Sequence, residues 1–329
     1  MPRIPMVIRG TGSAWPDRVM TNADFEKILD TSDEWIRTRS GIRERRICAA
    51  GENTLTLART AASRALADAG LAPADVDLIV LATCTPAYPI PATACWLQQE
   101  LGCRQVPAFD LNAACSGFVY ALAAAAGLMA AGSYRNVLVL GAEAMSSVTD
   151  FEDRGTCILL GDGAGAAVIG PTENPTSGVY DILLGADGGG AQAIWVPAGG
   201  SVQPPSNLTL NERLHYLKMK GREVYKFAVH KMHEVVADVL ERARLSIADL
   251  ALVIPHQSNL RIIESAMEKL GLPPEKVAVN IDRFGNTSAA SIPLALDEAR
   301  RSGRIKSGDW IILAGFGAGL TWGSVLIRL

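Results

Sequence analysis

The stretch that decides the fold is residues 106–141, VPAFDLNAACSGFVYALAAAAGLMAAGSYRNVLVLG, because its pattern recurs later in the chain. The pattern predicts a strand, a turn, an almost uncharged helix and a second strand. Residues 279–314, VNIDRFGNTSAASIPLALDEARRSGRIKSGDWIILA, repeat it at a constant offset of 173, which pairs Cys115 with Ser288. An internal duplication of strand–helix–strand units is the simplest explanation.

Other segments extend the duplication to most of the chain. Residues 78–80 match residues 252–254 at an offset of 174, and the glycine-rich residues 161–165 match residues 315–319 at 154. A helix over residues 56–69 precedes the first of these apolar runs. This alternation predicts an α/β fold with a parallel or mixed sheet beneath helices.

Composition limits the possible classes of protein. The chain has 329 residues, is 49% hydrophobic and carries a net charge of -3, which disfavours a nucleic-acid partner. It has no apolar run near the roughly 20 residues of a membrane span, and its first residues lack a signal peptide's apolar region. Its six cysteines form no C-x-x-C pair, so neither a zinc site nor a disulfide scaffold is indicated. We expect a soluble, reducing, cytoplasmic enzyme.

Cys115 is the strongest candidate for a catalytic residue. It follows an apolar strand-like run and precedes the alanine-rich helix, so it lies at a helix N-terminus. The partial positive charge there favours a thiolate, the nucleophilic form of cysteine. The usual alternative is a small buried hydrophobic residue, and we prefer that alternative for the other five cysteines.

His256 and Asn286 are the candidate partners of this thiol. His256 ends the predicted strand 251–254, where side chains commonly line α/β active sites. Asn286 lies in a turn that opens a predicted helix over residues 288–300. We expect Thr287 or Ser288 to cap that helix, leaving Asn286 free to face the site.

The glycine-rich segments do not predict nucleotide binding. Residues 161–165 and 315–319 both run into strand-like sequence, and neither opens a long helix with an acidic residue at the required distance. The second segment instead predicts close backbone approach to a substrate. We expect the Ala318 N–H to join the Cys115 N–H in an oxyanion hole.

Together these segments resemble β-ketoacyl-acyl carrier protein synthase III, the condensing enzyme that starts type II fatty acid synthesis. The resemblance also rests on motifs spread along the whole chain: TSDEWI at residues 31–36, GIRER at 41–45, DRGT at 153–156, GDGAG at 161–165 and GFGAGLTWG at 315–323.

The resemblance implies a fold and a reaction. The fold is the five-layer α-β-α-β-α thiolase fold, with residues 1–174 carrying the nucleophile and residues 175–329 carrying the histidine and asparagine. The reaction is a decarboxylative Claisen condensation of an acyl-CoA primer with malonyl-acyl carrier protein, giving 3-oxoacyl-acyl carrier protein, CoA and CO2. Such an acyltransferase needs no metal or redox cofactor, and its relatives are homodimers.

The resemblance also assigns residues outside the triad. Those matching CoA-binding positions are Thr31, Trp35, Arg39 and Arg154, although helix packing is a serious alternative for Trp35. Those matching the acyl pocket are Cys84, Ile90, Met145 and Phe316. In this family the residue that matches Ile90 often comes from the partner subunit and closes the acyl pocket. Acetyl-CoA-preferring relatives commonly have an aromatic residue there. Because Ile90 is smaller, we expect a pocket deeper by a few methylenes.

A basic cluster predicts the docking site of the acidic carrier protein. Its best candidates are Arg261, Lys226 and Lys269, and Lys218 would share a helix face with Lys226. A solvated helix face is the alternative for each lysine.

Two other functions remain open at this stage. One is a related condensing enzyme or acyltransferase of a secondary-metabolite pathway, with another primer or acceptor. The other is a non-catalytic acyl-binding scaffold, which Cys115 disfavours. A papain-like thiol hydrolase would also contain Cys, His and Asn, but the duplication and the glycine-rich tail do not suit it.

Overall fold

The computed structural model of the chain describes residues 3–132 and 134–329. Its strands are β1 (Met6–Ala14), β2 (Val19–Thr21), β3 (Glu44–Arg46), β4 (Leu78–Ala82), β5 (Ala108–Leu111), β6 (Val137–Ala144), β7 (Asp162–Pro171), β8 (Gly178–Ala186), β9 (Ile194–Trp195), β10 (Lys218–Met219), β11 (Leu250–Pro255), β12 (Trp310–Gly317) and β13 (Thr321–Arg328). Its α-helices are α1 (Asn22–Glu26), α2 (Asp33–Ser40), α3 (Thr54–Asp68), α4 (Thr93–Leu101), α5 (Gly117–Ala130), α6 (Asn207–Asn211), α7 (Gly221–Ala243), α8 (Leu260–Leu270), α9 (Ile281–Phe284) and α10 (Ser291–Arg301).

Two large sheets with equivalent topology form the centre of the molecule. The first has the strand order β1-β7-β6-β4-β5, and the second has the order β8-β13-β12-β11. In each sheet the strands toward one edge are parallel, β4 with β5 and β6 in the first and β11 with β12 in the second, whereas the remaining pairs are antiparallel. The predicted duplication of strand–helix–strand units is confirmed.

Alternating side chains on the central strands bury both faces of each sheet. Val137 and Val139 of β6 face a core shared with the second sheet, whereas Leu138 and Leu140 face a core beneath α3. Such two-sided burial explains why these strands are continuous apolar runs. The first sheet therefore separates two helical layers.

The helices complete a five-layer sandwich. The alanine-rich helix α5 and its counterpart α10 lie between the two sheets, and both contribute to the central core. Helix α3 covers the outer face of the first sheet, and α7 and α8 cover that of the second. The predicted thiolase fold is confirmed. No helix in residues 3–132 or 134–329 combines the length and apolar character needed to cross a bilayer.

The structure corrects the pairing of the two halves by one residue. The 3-10 turns that open the two central helices span Ala114–Ser116 and Ser288–Ala290, and an offset of 174 relates them. Ser288 therefore corresponds to Ala114, and both have a positive φ, 49° and 45° respectively. Cys115 corresponds to Ala289. The apolar pattern alone could not place the turn to one residue, because alanine and serine alternate in both copies.

The predicted boundary between the halves falls in a connection between the sheets. The first sheet ends at Pro171 of β7 and the second begins at Gly178 of β8. However, α10 packs against β1 and β7, so the two halves share one core. The division at residues 174 and 175 stays a prediction about the sequence duplication.

Gly141 gives a test of how closely the halves pack. A Cβ added there would lie 2.2 Å from the Ala289 carbonyl oxygen, so Gly141→Ala should destabilise the protein by about 1–3 kcal/mol or more. A Cβ at Gly127, in the exposed part of α5, would meet nothing within 4 Å, and Gly127→Ala should stabilise the helix by up to about 1 kcal/mol. Urea unfolding at equal protein concentration measures both. Equal midpoints for Gly141→Ala and the parent would contradict the packing argument.

Candidate active site

Cys115, His256 and Asn286 line one cavity of about 300 Å³. Cys115 follows β5 of the first sheet, and His256 directly follows β11 of the second sheet. The two halves therefore each supply one of these side chains. The cavity also touches Trp35 on one side and Phe316 on another. A larger cavity, of about 770 Å³, lies elsewhere against α3 and α10 and includes none of the three.

Cys115 sits in a tight turn between strand β5 and helix α5. The Asn112 side chain accepts a hydrogen bond from the Ala114 N–H at 3.0 Å, which fixes the turn after the strand. Ala114 has a positive φ of 45°, a conformation that costs free energy for a residue with a Cβ. The turn presents Cys115 at the cavity while its backbone continues into the helix.

Burial makes the resting Cys115 a thiol rather than a thiolate. Burial raises the pKa of Cys115 to about 12, a hydrogen bond from Ser288 lowers it in part, and the Glu143 carboxylate raises it further. A rise of this size corresponds to about 4 kcal/mol, whereas a helix N-terminus contributes at most about 2 kcal/mol. The predicted stabilisation of a thiolate by the helix N-terminus is therefore smaller than the opposing effect of burial.

The backbone around Gly317 lies against Cys115, where the oxyanion hole is predicted. A Cβ at Gly317 would lie 2.6 Å from the Cys115 nitrogen, so only glycine allows this approach. The Thr321 hydroxyl lies 3.0 Å from the carbonyls of both Ala113 and Ala318 and ties the two segments together. Within the described residues the Ala318 N–H donates to no backbone carbonyl.

His256 is held as a neutral imidazole. Its backbone N–H donates to Ala314 at 2.7 Å, and its Nδ1 lies 2.6 Å from the Ser291 hydroxyl. That hydroxyl oxygen accepts from the Gln257 N–H, so its proton is free to be donated to Nδ1. When the Ser291 hydroxyl donates to Nδ1, the imidazole proton lies on Nε2. Burial lowers the pKa of His256 to about 3, and the Phe316 ring packs edge-on against it.

Asn286 is anchored to the start of β7 by its backbone. Its N–H donates to Leu159 at 2.7 Å and its carbonyl accepts from Gly161 at 3.0 Å. Gly285 has a φ of 65°, and a Cβ there would lie 2.8 Å from the Leu159 oxygen. The close approach of the two backbone segments therefore explains why glycines occur at Gly161 and Gly285. Gly161 belongs to the segment that holds the Asn286 loop in place.

The capping prediction for this loop is wrong. The Asn286 side-chain oxygen itself accepts from the Ser288 N–H at 2.9 Å. Thr287 makes no side-chain cap, and within the described part of the chain its buried hydroxyl has no hydrogen-bond partner. This contact orients the Asn286 carboxamide, and its NH2 group remains to face the cavity.

Two of the four predicted CoA residues line the cavity, and a third, Arg154, contacts one of them. Trp35 and Arg39 line the cavity. The Arg154 guanidinium lies 4.9 Å from the centre of the Trp35 ring, which leaves no room for a base between them, since stacking needs roughly 3.5 Å on each side. An adenine sandwiched there would require Arg154 to move. The Thr31 hydroxyl is buried, without a partner among the described residues.

The predicted acyl-pocket residues fall into two groups. Phe316 lines the cavity, and Cys84 and Met145 lie behind Cys115, with their sulfurs 3.9 Å apart. Ile90, by contrast, is 87% exposed and does not line the cavity of its own chain.

The basic residues separate into paired and unpaired ones. Lys218 lies in β10, outside α7, and contacts Asp150, so its predicted place on the helix face is wrong. Among the described residues Lys226, Arg261 and Lys269 form no ion pair, and all three are exposed. Helices α7 and α8 meet beside the cavity, where the Tyr225 and Ser265 hydroxyls lie 3.4 Å apart.

Sequence reasoning gave no role to Glu143, Ser291 or Thr321. Glu143 is a lone charged residue in the apolar strand VLVLGAEA, residues 137–144, and such isolation indicates a buried, partnered carboxylate. Ser291 and Thr321 carried no comparable signal, because small hydroxyl residues are common at helix starts and in strands. Within residues 3–132 and 134–329 no group of three or more His, Cys, Asp or Glu is placed to hold a metal ion.

Fold and site together define a thiolase-fold condensing enzyme, with Cys115 as its predicted nucleophile. Family models for the 3-oxoacyl-[acyl-carrier-protein] synthase III and its C-terminal part match residues 109–188 and 240–329. The β-ketoacyl-[acyl-carrier-protein] synthase III of Caldanaerobacter subterraneus is 51% identical over 99% of this chain and 98% of its own.

Solved structures agree with this assignment. The 3-oxoacyl-[acyl-carrier-protein] synthase III of Aquifex aeolicus superposes with a TM-score of 0.91 at 48% identity, covering 98% of this chain and 100% of the other. The priming β-ketosynthase of the R1128 polyketide pathway has a TM-score of 0.91 at 37% identity, covering 99% and 97%. The chain belongs to the β-ketoacyl-acyl carrier protein synthase III family and is an acyltransferase.

The low pKa of His256 gives a spectroscopic prediction. Because burial lowers it to about 3, the ring stays neutral down to about pH 5. The His256 ring resonances, assigned by comparison with His256→Ala, should not shift between pH 8 and pH 5. In urea-unfolded protein the same histidine should titrate near 6.5. Titration of native His256 near neutrality would show that the ring is charged in the working enzyme.

Proposed function

We propose that Cys115 is the nucleophile, and His256 and Asn286 the hydrogen-bond donors, of a decarboxylative Claisen condensation. The reaction of this family joins an acyl-CoA primer to malonyl-acyl carrier protein and initiates fatty acid synthesis, and the chain carries it out. In the first half-reaction the Cys115 sulfur attacks the primer thioester and CoA leaves. The N–H groups of Cys115 and Ala318 stabilise the developing oxyanion.

The second half-reaction uses the opposite wall of the cavity. Malonyl-acyl carrier protein enters, and its thioester carbonyl accepts hydrogen bonds from His256 Nε2–H and the Asn286 NH2 group. These donors stabilise the enolate as CO2 leaves, and the resulting carbanion attacks the acyl-Cys115 carbonyl. The cycle needs neither a metal nor a redox cofactor.

One observation carries this assignment of roles. A thiol, a neutral imidazole and a carboxamide from both halves of the duplication share a single cavity of about 300 Å³. A neutral imidazole suits an enolate because it donates a hydrogen bond without first taking up a proton. The low pKa of His256, about 3, favours that neutral form.

The CoA and the primer have separate proposed locations. We place CoA at the cavity mouth beside Trp35 and Arg39, with Thr31 and Arg154 near the nucleotide. We place the acyl chain against Phe316, Cys84 and Met145. We propose a homodimer in which Ile90 closes the partner's acyl pocket, because Ile90, Tyr88 and Trp96 are exposed apolar side chains on one segment.

The same site could serve a pathway outside fatty acid synthesis. The 37% identity to a polyketide priming ketosynthase supports this alternative. Identity near 50% to several synthase III relatives favours fatty acid synthesis instead. A cytoplasmic location fits six free cysteines. Intact-mass analysis with a panel of acyl-CoAs would identify the primer.

Variants of the two donors should separate the half-reactions. Because one such donor is worth about 2.7–4 kcal/mol, His256→Ala and Asn286→Ala should slow malonyl decarboxylation by roughly 100- to 1000-fold. Acylation of Cys115 should fall much less, since its oxyanion hole is made of backbone N–H groups. Cys115→Ser should abolish the thioester adduct. Intact-mass spectrometry and CO2 release measure the two steps, and equal losses in both would overturn the assignment of roles.

Charge reversal should identify the carrier-protein surface. Arg261 is exposed and next in sequence to Ile262, which lines the cavity. We expect Arg261→Glu to raise KM for malonyl-acyl carrier protein about tenfold or more at low salt, less at high salt, and to leave acylation by acyl-CoA unchanged. Arg135→Glu is the matched control, because Arg135 is exposed before the N-terminal end of β6, opposite the site. Equal KM values for both variants would refute docking at Arg261.

A further inference from the structure

A buried carboxylate lies behind the nucleophile. Glu143, near the end of β6, is fully buried and accepts hydrogen bonds from the end of β4 and the following loop. The Thr83 and Thr85 hydroxyls donate to Oε2 at 3.0 and 2.5 Å, and the Cys84 and Thr85 N–H groups donate at 3.1 Å. The Ala289 N–H approaches Oε1 at 3.4 Å. No salt-bridge partner is present for Glu143 among the described residues.

Hydrogen-bonded side chains lead from this carboxylate to Ser288, which lies beside the turn that carries Cys115. The Cys84 thiol donates to Glu143 Oε1 at 3.3 Å. Cys84 Sγ lies 3.6 Å from the Ser288 hydroxyl, where either atom can be the donor. The turn that contains Ser288 packs against the turn that carries Cys115, and the Ser288 hydroxyl lowers the pKa of Cys115. Each intermediate group can donate one proton and accept another.

The backbone holds the Ser288 hydroxyl in this position at a cost. Ser288 has a φ of 49°, which is unfavourable for a residue with a Cβ. The Asn286 side chain accepts the Ser288 N–H, and Gly141 admits the Ala289 carbonyl against β6. A strained residue fixed by contacts on both sides is typical of a functional position.

The acylation step needs a proton acceptor that the triad does not supply. Cys115 starts as a thiol, because burial raises its pKa to about 12. His256 is a poor proton store, since burial lowers its pKa to about 3. Burial raises the pKa of Glu143, and its hydrogen-bond neighbours lower it only in part. The Glu143 carboxylate is therefore a stronger base than the His256 imidazole.

We propose that Ser288 and Cys84 relay the Cys115 proton to Glu143 during acylation, and that Glu143 stores it until the condensation step returns it. The inference rests on the proposed role of Cys115 as nucleophile. Ser288 touches the reacting sulfur, whereas Cys84 and Glu143 act through it.

The proposed proton transfers balance over the catalytic cycle. During acylation the Cys115 sulfur forms a bond to the thioester carbon, and the CoA thiolate leaves and takes its proton from solvent. The Cys115 proton passes to Ser288, the Ser288 proton to Cys84, and the Cys84 proton to Glu143. When condensation expels the Cys115 thiolate, the three transfers run backwards. The net cycle consumes one proton, which appears in CoA-SH.

Two titratable groups face Glu143, the thiols of Cys84 and Cys115. Its other contacts, from β4, the following loop and the Ser288–Ala290 turn, are hydroxyl and N–H groups. Burial and Glu143 together raise the pKa of Cys84 well above its usual value, so Cys84 remains a thiol that can donate. The carboxylate charge should therefore govern the acid limb of the acylation rate.

Single-turnover acylation by acetyl-CoA and butyryl-CoA tests the relay, with CoA release and intact mass as readouts. Cys84→Ala and Glu143→Gln should slow acylation by roughly 100-fold or more. Cys84→Ser keeps a hydroxyl in the chain and should stay within several-fold of the parent. Cys95→Ala, at an exposed thiol on α4, is the control and should match the parent.

The pH profile separates a relay from simple electrostatics or packing. The parent rate should fall as Glu143 becomes protonated at low pH. Glu143→Gln should lose that acid limb and rise about tenfold per pH unit as Cys115 ionises directly. If Glu143 acts only as a nearby negative charge, removing it would lower the pKa of Cys115 and accelerate acylation, which would overturn the proposal.

Two further outcomes separate the relay from the function on which it depends. If the parent acylates Cys115 but Cys84→Ala does so at the same rate, the relay is refuted and the nucleophile stands. If the parent accumulates no acyl group on Cys115 from either acyl-CoA, both proposals fail. Equal slowing of acylation and malonyl decarboxylation in Cys84→Ala and in Cys84→Ser would indicate a packing role and refute the relay.

Discussion

The active site depends on backbone segments of the two halves approaching to van der Waals contact. Gly141 admits the Ala289 carbonyl, and Gly317 admits the Cys115 backbone, at separations that no Cβ would permit. These contacts bring a turn of the first half beside a turn of the second. Every distance within the site follows from them, because close-packed interiors transmit displacements of a few tenths of an ångström.

The same contacts exclude water, and this determines the electrostatics of the resting enzyme. Burial favours the uncharged forms of Cys115 and His256. Such a site is poorly suited to carrying a charge at rest and well suited to stabilising one that develops on a substrate. A thiol that must lose its proton in such a place needs a nearby acceptor. The hydroxyl and carboxyl groups behind Cys115 fit this need better than the imidazole in front of it.

The mouth of the cavity obeys different constraints. Helices α2, α7 and α8 present exposed, charged side chains there, and some of the cations are neutralised by their own neighbours. Arg37 of α2, for example, pairs with Asp33. Only cations without such partners can steer an acidic carrier protein, so the effective basic surface is smaller than the lysine and arginine count suggests.

The sequence by itself determined the duplication, because period-two and helical patterns depend on local side-chain sequence. It placed Cys115 at a helix start and His256 after a strand for the same reason. The layer order and the predicted roles of Cys115, His256 and Asn286 depended also on the resemblance to a known family. The sequence could not place the 3-10 turns to one residue, and it put Lys218 on a helix that begins later, since element ends depend on contacts with distant segments.

Only the tertiary structure decided the protonation of the site and the groups behind it. A sequence argument considers only the helix N-terminus at Cys115, which lowers the pKa of the thiol. In the folded protein, burial raises that pKa by more. Glu143 and Ser288 are far apart in the chain, and no local pattern shows that both lie beside Cys84. Desolvation and hydrogen-bond partners are properties of the folded surroundings, so the sequence specifies them only through the fold that it produces.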